Sequence, residues 1–597
     1  MTSVSFEERI GQILQGQTFD ASTLRNEARD IAKSISIGRT SAFDLWGVSS
    51  EWEFKQQCIK SGSISYHAHI GMGNWQLTEQ ALSNVYHEAK LNDISVHRAG
   101  ICLDRRMGLP EEWRARTAAE TGPLLEFPEQ WQLLGKKTPI QPHMGDFMIG
   151  FPSSTINTVQ ALKAGVTTIG NLSQYFAHEA PGWHDHKVTA VETTRAIALL
   201  GEFRERGVML HSYLEDGYGA LFFDCATVAG WAYLEKYIVE DLLKAKLSHC
   251  IGGLTSDPIK RAGWVFALDK IHNGECIGSM FYGDTISFTR NFDQNRGMIA
   301  EYMLWDIMAQ LKCPTGHAVL PLPVTEAIRA PSWQEIIEAQ ILGNRIEKTA
   351  RRLVDSVDFT ASEEFAETIC SQGKRVFNNA LDGLHSAGVD IKNPLQMLYV
   401  LKQMGPALFE QMFSAGEVDA SEVRGHKVII ATDIFAQSMS CYQEYLPMFE
   451  DPQFVERVRG KRILLASTDV HEHAIIVLNW LLSGTGAKVD YLGAEADPSK
   501  VVARAKEQSM DAILISTHNG MALDYARQLK DKLHTEVVDT PVLFGGILNQ
   551  KMPDLELPVD VTQELLEIGF HASAKLGLQI GKLLQHKPAP NEADNSS

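Results

Sequence analysis

The sequence predicts an α/β protein in which a (β/α)8 TIM barrel is followed by a helical segment and a flavodoxin/Rossmann-like domain. Three observations predict it. Short β-like runs alternate with helical stretches eight times in unbroken order between residues 64 and 322. Polar residues gather where those runs end, the face on which barrel enzymes carry their chemistry. Near residue 460 a new apolar run breaks into Asp469-Val470-His471, and two further strand-and-loop pieces follow it.

Composition sets the frame. A chain of 597 residues exceeds one hydrophobic core, so two to four domains are expected. Hydrophobic and charged contents of 44% and 22% are those of an ordinary globular protein. A net charge of -19 argues against nucleic acid and anionic membrane surfaces, which attract basic patches. The 8 cysteines are scattered without a C-x-x-C pair, as expected for reduced thiols in a cytoplasmic protein. The first residues carry acidic groups and no apolar run of the signal-peptide kind. No stretch is long and apolar enough to span a bilayer.

In chain order, residues 1–60 read as a helical extension, with Ser22 and Ser41 as caps and Gly38 as a break. The β-like runs are Ile64–Ile70, Ile94–Gly100, Pro139–Gly145, Thr167–Ser173, Val208–Leu214, Leu247–Gly253, Ile277–Gly283 and Gly316–Leu322. Helical stretches such as Ser153–Ala164, Val188–Arg206, Pro258–His272 and Asp293–Leu311 lie between them, and the barrel is assigned to 61–350. At or after the strand ends stand His67 and His69; Arg98, Arg105 and Arg106; His143 and Asp146; Asn171, Ser173 and Gln174; His211, Tyr213 and Glu215; and Tyr282 and Asp284. Residues 351–425 are amphipathic helices broken at Gly388 and Asn393-Pro394. Residues 426–458 read as a linker with one strand-like run, Lys427–Ala431, and 459–585 as the last domain. Residues 586–597 form a polar tail expected to be disordered.

In that last domain Ile463 to Ala466 is an apolar run of the fully buried kind. A histidine at the C-terminal end of a first parallel strand can meet a ligand outside the sheet. An aspartate two residues earlier can fix its tautomer. Asp511 to Gly520 is a second such strand opening into a polar loop containing Ser516. Thr540 to Gly546 is a third, ending in Gly545 and Gly546, where a backbone can approach a flat ligand closely. This set resembles the cobalamin-binding domain of the mutase and methionine-synthase type, with its Asp-x-His-x-x-Gly, Ser-x-Leu and Gly-Gly signatures. The resemblance implies that His471 is the lower axial cobalt (metal) ligand and that Asp469 orients it. It also implies that Ser516, Gly520, Gly545 and Gly546 line the nucleotide channel. Ala474 replaces the family's Gly and His518 its Leu, which narrows the channel by a methyl and adds a polar group. A His-Glu-x-x-His zinc helix is excluded, because Ile475 stands where its second His would be.

Residues from about 60 to 440 resemble the barrel subunit of glutamate mutase (methylaspartate mutase). The likeness lies in order and spacing from Gln141 to Gly145, Lys163 to Gly165, Gly207 to Gly219, Pro321 to Ala330 and Val428 to Phe435. It implies an adenosylcobalamin-dependent radical mutase, an intramolecular transferase working as a homodimer on a small-molecule substrate. That family grips two substrate carboxylates with three arginines and meets the ammonium with a glutamate. Here His69 and His143 fall on two of the arginine positions, Arg105 or Arg106 on the other, and Asn171 on the glutamate. Glu215 or Tyr213 is the fifth-strand candidate. Neutral imidazoles lack the fixed, forked charge of arginine. The expected substrate is therefore a small polar molecule other than glutamate, in a pocket of His69, Arg105, His143, Asn171, Tyr213 and Glu215. A corrinoid-dependent methyltransferase, a metal-dependent amidohydrolase using His67, His69, His211 and His249, and a cobalamin sensor with an inactive barrel stay open as alternatives.

Overall fold

The structure is a computed structural model and describes residues 5–119, 122–468, 473–493, 496–518, 520–552, 557–575 and 579–584. The chain divides into two compact units, one of residues 1–326 and 330–433, the other of 327–329 and 434–597.

In the first unit every β-like run contains a strand: β1 (His67–Ile70), β2 (Arg98–Ile101), β3 (Gln141–His143), β4 (Thr168–Ile169), β5 (Met209–Tyr213), β6 (Lys246–Cys250), β7 (Met280–Phe281) and β8 (Ala318–Val319). The sets β1-β2-β3, β4-β5-β6 and β7-β8 are parallel throughout. Single parallel bridges join them at Met144–Ile169 and Ile251–Phe281, and a third, Tyr66–Val319, leads from β8 back to β1. Helices cross between the strands, among them Ser154–Lys163, His186–Glu202, Pro258–Ile271 and Phe292–Lys312. The long helix Thr360–Ser386 packs on the helices Cys225–Lys236 and Pro258–Ile271. Gly230 and Gly373 permit this, since a Cβ on Gly373 would lie 2.8 Å from both Ala229 Cβ and Gly230 N.

The N-terminal helices reach the base of this strand set. The helix Glu51–Ser61 sends Glu51 and Lys55 to full burial beside Arg98. Arg98 Nε lies 2.7 Å from a Glu51 oxygen and Lys55 Nζ 3.6 Å from the same atom. Arg98 Nη1 also donates to the Ser279 carbonyl at 2.6 Å, and Lys55 to the carbonyls of Gly278 and Ser279. Arg98, expected at a strand end, opens β2 instead and sits on the side away from the mouth.

Two local expectations need correction. The helix caps are Asp20 and Thr40, whose side-chain oxygens accept from the backbone of Thr23 and Phe43. Ser22 lies within the helix Ala21–Ser34 and Ser41 begins the next one. A cap is the residue just outside the first turn, whose oxygen reaches an otherwise unpaired N–H. The linker region is largely helical, with Asp433–Phe449 and Pro452–Val458. Lys427–Ala431 forms no strand. The amides of Ile429 and Ile430 donate instead to the Asp224 carboxylate, at 2.7 and 3.2 Å.

The second unit holds a parallel sheet in the order β10-β9-β11-β12-β15, from β9 (Arg462–Ser467), β10 (Lys488–Gly493), β11 (Ala512–Thr517), β12 (Val542–Gly546) and β15 (His571–Ala572). A short antiparallel pair, β13 (Asn549–Gln550) and β14 (Val559–Asp560), lies beside it. Alternate residues of β9 and β11 enter separate cores. Leu464, Ala466, Ile513 and Ile515 face one side, and Ile463, Leu465, Ala512 and Leu514 face the other. Burial on both faces explains the unbroken apolar runs.

Candidate functional site

The order β10-β9-β11-β12-β15 places β9, the first strand in sequence, between β10 and β11 of a doubly wound sheet, with its topological switch point at the C-terminal edge. Residues there are in register. Ser467 pairs with Ser516, Ser516 with Gly545 and Thr517 with Gly546. The Thr468 amide donates to the Ser516 carbonyl at 2.9 Å. Gly546 has φ +86°, and a Cβ there would run into the Thr517 carbonyl. Gly520, at φ +72°, donates its amide to Asn549 Oδ1 at 2.9 Å. The Thr517 hydroxyl is buried with no hydrogen-bond partner among the described residues. Asp469 and His471 lie outside the described residues.

The B12 binding domain family model matches residues 462–564, the span of this sheet. The glutamate mutase sigma subunit of Halobacterium salinarum is 31% identical over 114 residues, 19% of this chain and 74% of that subunit. The chain belongs to the cobalamin-binding family. A cobalamin-binding protein of Desulfitobacterium hafniense, known from its crystal structure, shares 18% identity over 33% of this chain and 84% of that one, at a TM-score of 0.17. A likeness that slight carries no weight for the fold. The edge itself suits the cofactor. Small residues on three adjacent strands, a glycine that admits no side chain and an unsatisfied buried hydroxyl fit a large polar group laid against the strand ends.

A second constellation lies in the first unit, along β1, β3 and β5 and just after β7. His143 ends β3 and Tyr282 follows β7, whereas His67, expected at a strand end, opens β1 in register with Arg98, and His211 lies in the middle of β5. His67 and His69, two apart on one strand, share a face. Their rings meet edge to face with centroids 5.0 Å apart. His143 lies 5.6 Å from His67 and 4.6 Å from His211, again edge to face. Gly100 in β2 makes room, since a Cβ there would lie 2.7 Å from His69 Cδ2 and 2.8 Å from His67 Nε2. His211 Nδ1 is hydrogen-bonded to Ser279 Oγ at 2.8 Å, and Tyr282 Oη to His69 Nδ1 at 3.1 Å. Tyr213 stacks on Tyr282 with centroids 4.8 Å apart and planes 5° from parallel. Burial first, and the Arg98 guanidinium second, push the pKa of His67, His143 and His211 well below the ordinary imidazole value and that of His69 down to about 4. All four imidazoles are neutral at pH 7.

The rim beside them is acidic. Asp216 is held by Asn171 Nδ2 at 2.8 Å and by His178 Nε2 at 3.2 Å. The Asn171 side-chain Oδ1 accepts from the backbone amides of Tyr213 and Ser173, at 2.8 and 3.1 Å. Asp146 accepts from Gln174 at 3.4 Å, and burial followed by the neighbouring Asp216 charge pushes its carboxyl up to about 7.

Of the residues expected here, His69, His143 and Tyr213 join His67, His211 and Tyr282. Asn171 is a scaffold for Asp216 rather than an open amide. The Glu215 carboxylate is taken up by the amides of Gly252 and Leu254 and the Thr255 hydroxyl, at 2.6, 3.2 and 2.7 Å, and so holds the loop after β6. Arg106 closes its fork on Asp104, at 2.9 and 3.0 Å, while Arg105 donates to the Glu179 carbonyl at 3.1 Å. Tyr282, Asp146 and Asp216 were not among the expected site residues. The first two stand at strand ends in the sequence, but Asp216 had no mark beyond adjacency to Glu215. His249 turns outward, with its ring nitrogens on Glu235 at 3.2 Å and His272 at 2.9 Å, away from His67, His69 and His211. Among the described residues no group of three or more His, Cys, Asp or Glu is set to hold a metal ion.

Proposed function

We propose that the protein is an adenosylcobalamin-dependent, glutamate-mutase-like carbon-skeleton mutase, acting on a small polar substrate other than glutamate. The eight parallel strands are read as a closed (β/α)8 barrel, because a parallel contact follows each strand and the Tyr66–Val319 bridge leads from the last to the first. The observation that carries the reading is a B12-binding domain on the same chain as strand ends lined by neutral imidazoles. Bound adenosylcobalamin supplies a carbon-centred radical through its weak cobalt–carbon bond. His471 would hold the cobalt, Asp469 would orient it, and Ser516, Gly520, Gly545 and Gly546 would line the nucleotide. In the barrel His69, His143 and His211 offer neutral hydrogen bonds, Asp146 holds or releases a proton near neutral pH, and Asp216 provides negative charge for a donor on the substrate. The protein is read as a cytoplasmic homodimer.

The test is reconstitution. Purified protein takes up a corrinoid, and the His471→Ala variant loses the spectrum of the imidazole-ligated form. With adenosylcobalamin and a turning-over substrate, electron spin resonance detects a cobalt(II)–radical pair. Activity supported by methylcobalamin alone, with a methyl group appearing on an acceptor, identifies a methyltransferase instead.

A further inference from the structure

Tyr282 follows β7 directly and is fixed on three sides. Its ring stacks on Tyr213, its carbonyl accepts from Arg261 Nη2 at 2.7 Å, and its amide donates to the Ile251 carbonyl at 2.8 Å. Arg261 is itself buried and clamped bidentately on Asp306, at 2.8 and 2.7 Å. The phenol therefore has little freedom, and its oxygen rests 3.1 Å from His69 Nδ1.

A phenolic hydroxyl carries one proton, and its hydrogen bond to His69 Nδ1 is the one it makes among the described residues, with donor and acceptor set by the tautomer of the ring. With that proton donated, Nδ1 must present its lone pair, so the single proton of the neutral ring resides on Nε2. His69 Nε2 has no protein partner among the described residues, and the side chain is only partly buried. Burial and Arg98 keep the ring neutral, so Nε2 is an uncharged N–H donor.

We propose that Tyr282 is a positioning residue that locks His69 as a neutral Nε2–H donor, and that this donor selects an uncharged oxygen of the substrate: a carbonyl, amide or hydroxyl. The assignment deepens the mutase reading, since it takes the strand-end pocket to be the substrate site. One neutral donor satisfies a carbonyl oxygen, whereas a carboxylate needs the fixed charge and double donation of an arginine fork.

The test uses full-length, corrinoid-free protein with ¹⁵N-labelled histidine rings, read by long-range proton–nitrogen correlation. Wild type shows His69 protonated on Nε2, and the Tyr282→Phe variant, which keeps the stacked ring, shows a mixture of tautomers. Acetamide moves the His69 Nε2 signal saturably and binds about fivefold or more tighter than acetate, and Tyr282→Phe weakens acetamide about 3- to 10-fold, the worth of one hydrogen bond. His69→Gln, which keeps a donor, retains acetamide binding, and His69→Phe loses it. A wild-type ring protonated on Nδ1, an unchanged tautomer in Tyr282→Phe, or acetate binding tighter than acetamide overturns the proposal. Because the tautomer is read without corrinoid, a failure of the protein to take up corrinoid overturns the mutase reading and leaves this one standing.

Discussion

Asp146 is the residue whose titration reports most directly on the pocket. Its carboxyl is pushed up to about 7, whereas an unfolded aspartate titrates near 3.8. Between those values the folded chain binds more protons than the unfolded one, so stability falls as pH rises from about 4 to about 7. Glu326 and Glu410 are also pushed up to about 7, so the contribution is isolated by difference. Asp146→Asn gains stability over wild type, on the order of a few kcal/mol, as pH rises through that window and none below it. Chemical denaturation at stepped pH checks this, and a constant difference between the two proteins contradicts it. His143 was legible in the sequence because a short strand followed by a helix marks its own end, whereas His67 and His211 were found by lying on the same runs, at the start of β1 and in the middle of β5. The acceptors were not. Whether Glu215 or Asp216 faces the pocket depends on how a short turn after β5 rotates, and no periodicity reports that rotation.

At the level of elements, glycine positions are the most exposed to test. Gly100→Ala would place a methyl group 2.7 to 2.8 Å from two imidazoles, and an overpacked ring of that kind costs about 1–3 kcal/mol. Urea midpoints measure the loss, and the His67 and His69 ring signals shift with it. Gly546→Ala meets the Thr517 carbonyl in a left-handed backbone conformation, so corrinoid uptake falls while the first unit keeps its melting behaviour. An unchanged corrinoid affinity would remove Gly546 from the proposed channel. The eight strands and the central helices were legible because buried parallel strands read as apolar runs bounded by turn residues. The span 426–458 was misread for the same reason in reverse. Val428, Ile429 and Ile430 look like a strand, but the amides of Ile429 and Ile430 are taken up by the side chain of Asp224, about two hundred residues away in sequence, a partner that no local pattern reveals.

For the whole molecule, the division near residue 433 gives each unit its own core. Residues 434–597 expressed alone should fold and bind hydroxocobalamin with an affinity near that of the full chain; a fragment that stays unfolded contradicts that independence. The complete protein with adenosylcobalamin and glutamate should yield no methylaspartate, as judged by NMR of the reaction mixture. Robust turnover would mean that the imidazoles at His69 and His143 stand in for arginines after all. Among the described residues no helix is long and apolar enough to cross a membrane.

The placement of Glu51 has a practical bearing on anyone who shortens this chain. Residues 1–60 look dispensable, being a run of small helices ahead of the first strand, yet they deliver the carboxylate of Glu51, which among the described residues is the one that meets Arg98 in the interior. Glu51→Gln should cost about 3–5 kcal/mol, because the guanidinium is then left charged in a place water does not reach. Trimming the chain to begin at β1 does the same damage and removes Lys55 from the carbonyls of Gly278 and Ser279 as well. The amino-terminal segment is thus the keystone of the first unit's foundation, and truncated forms should be recovered as aggregates, not as trimmed but folded protein.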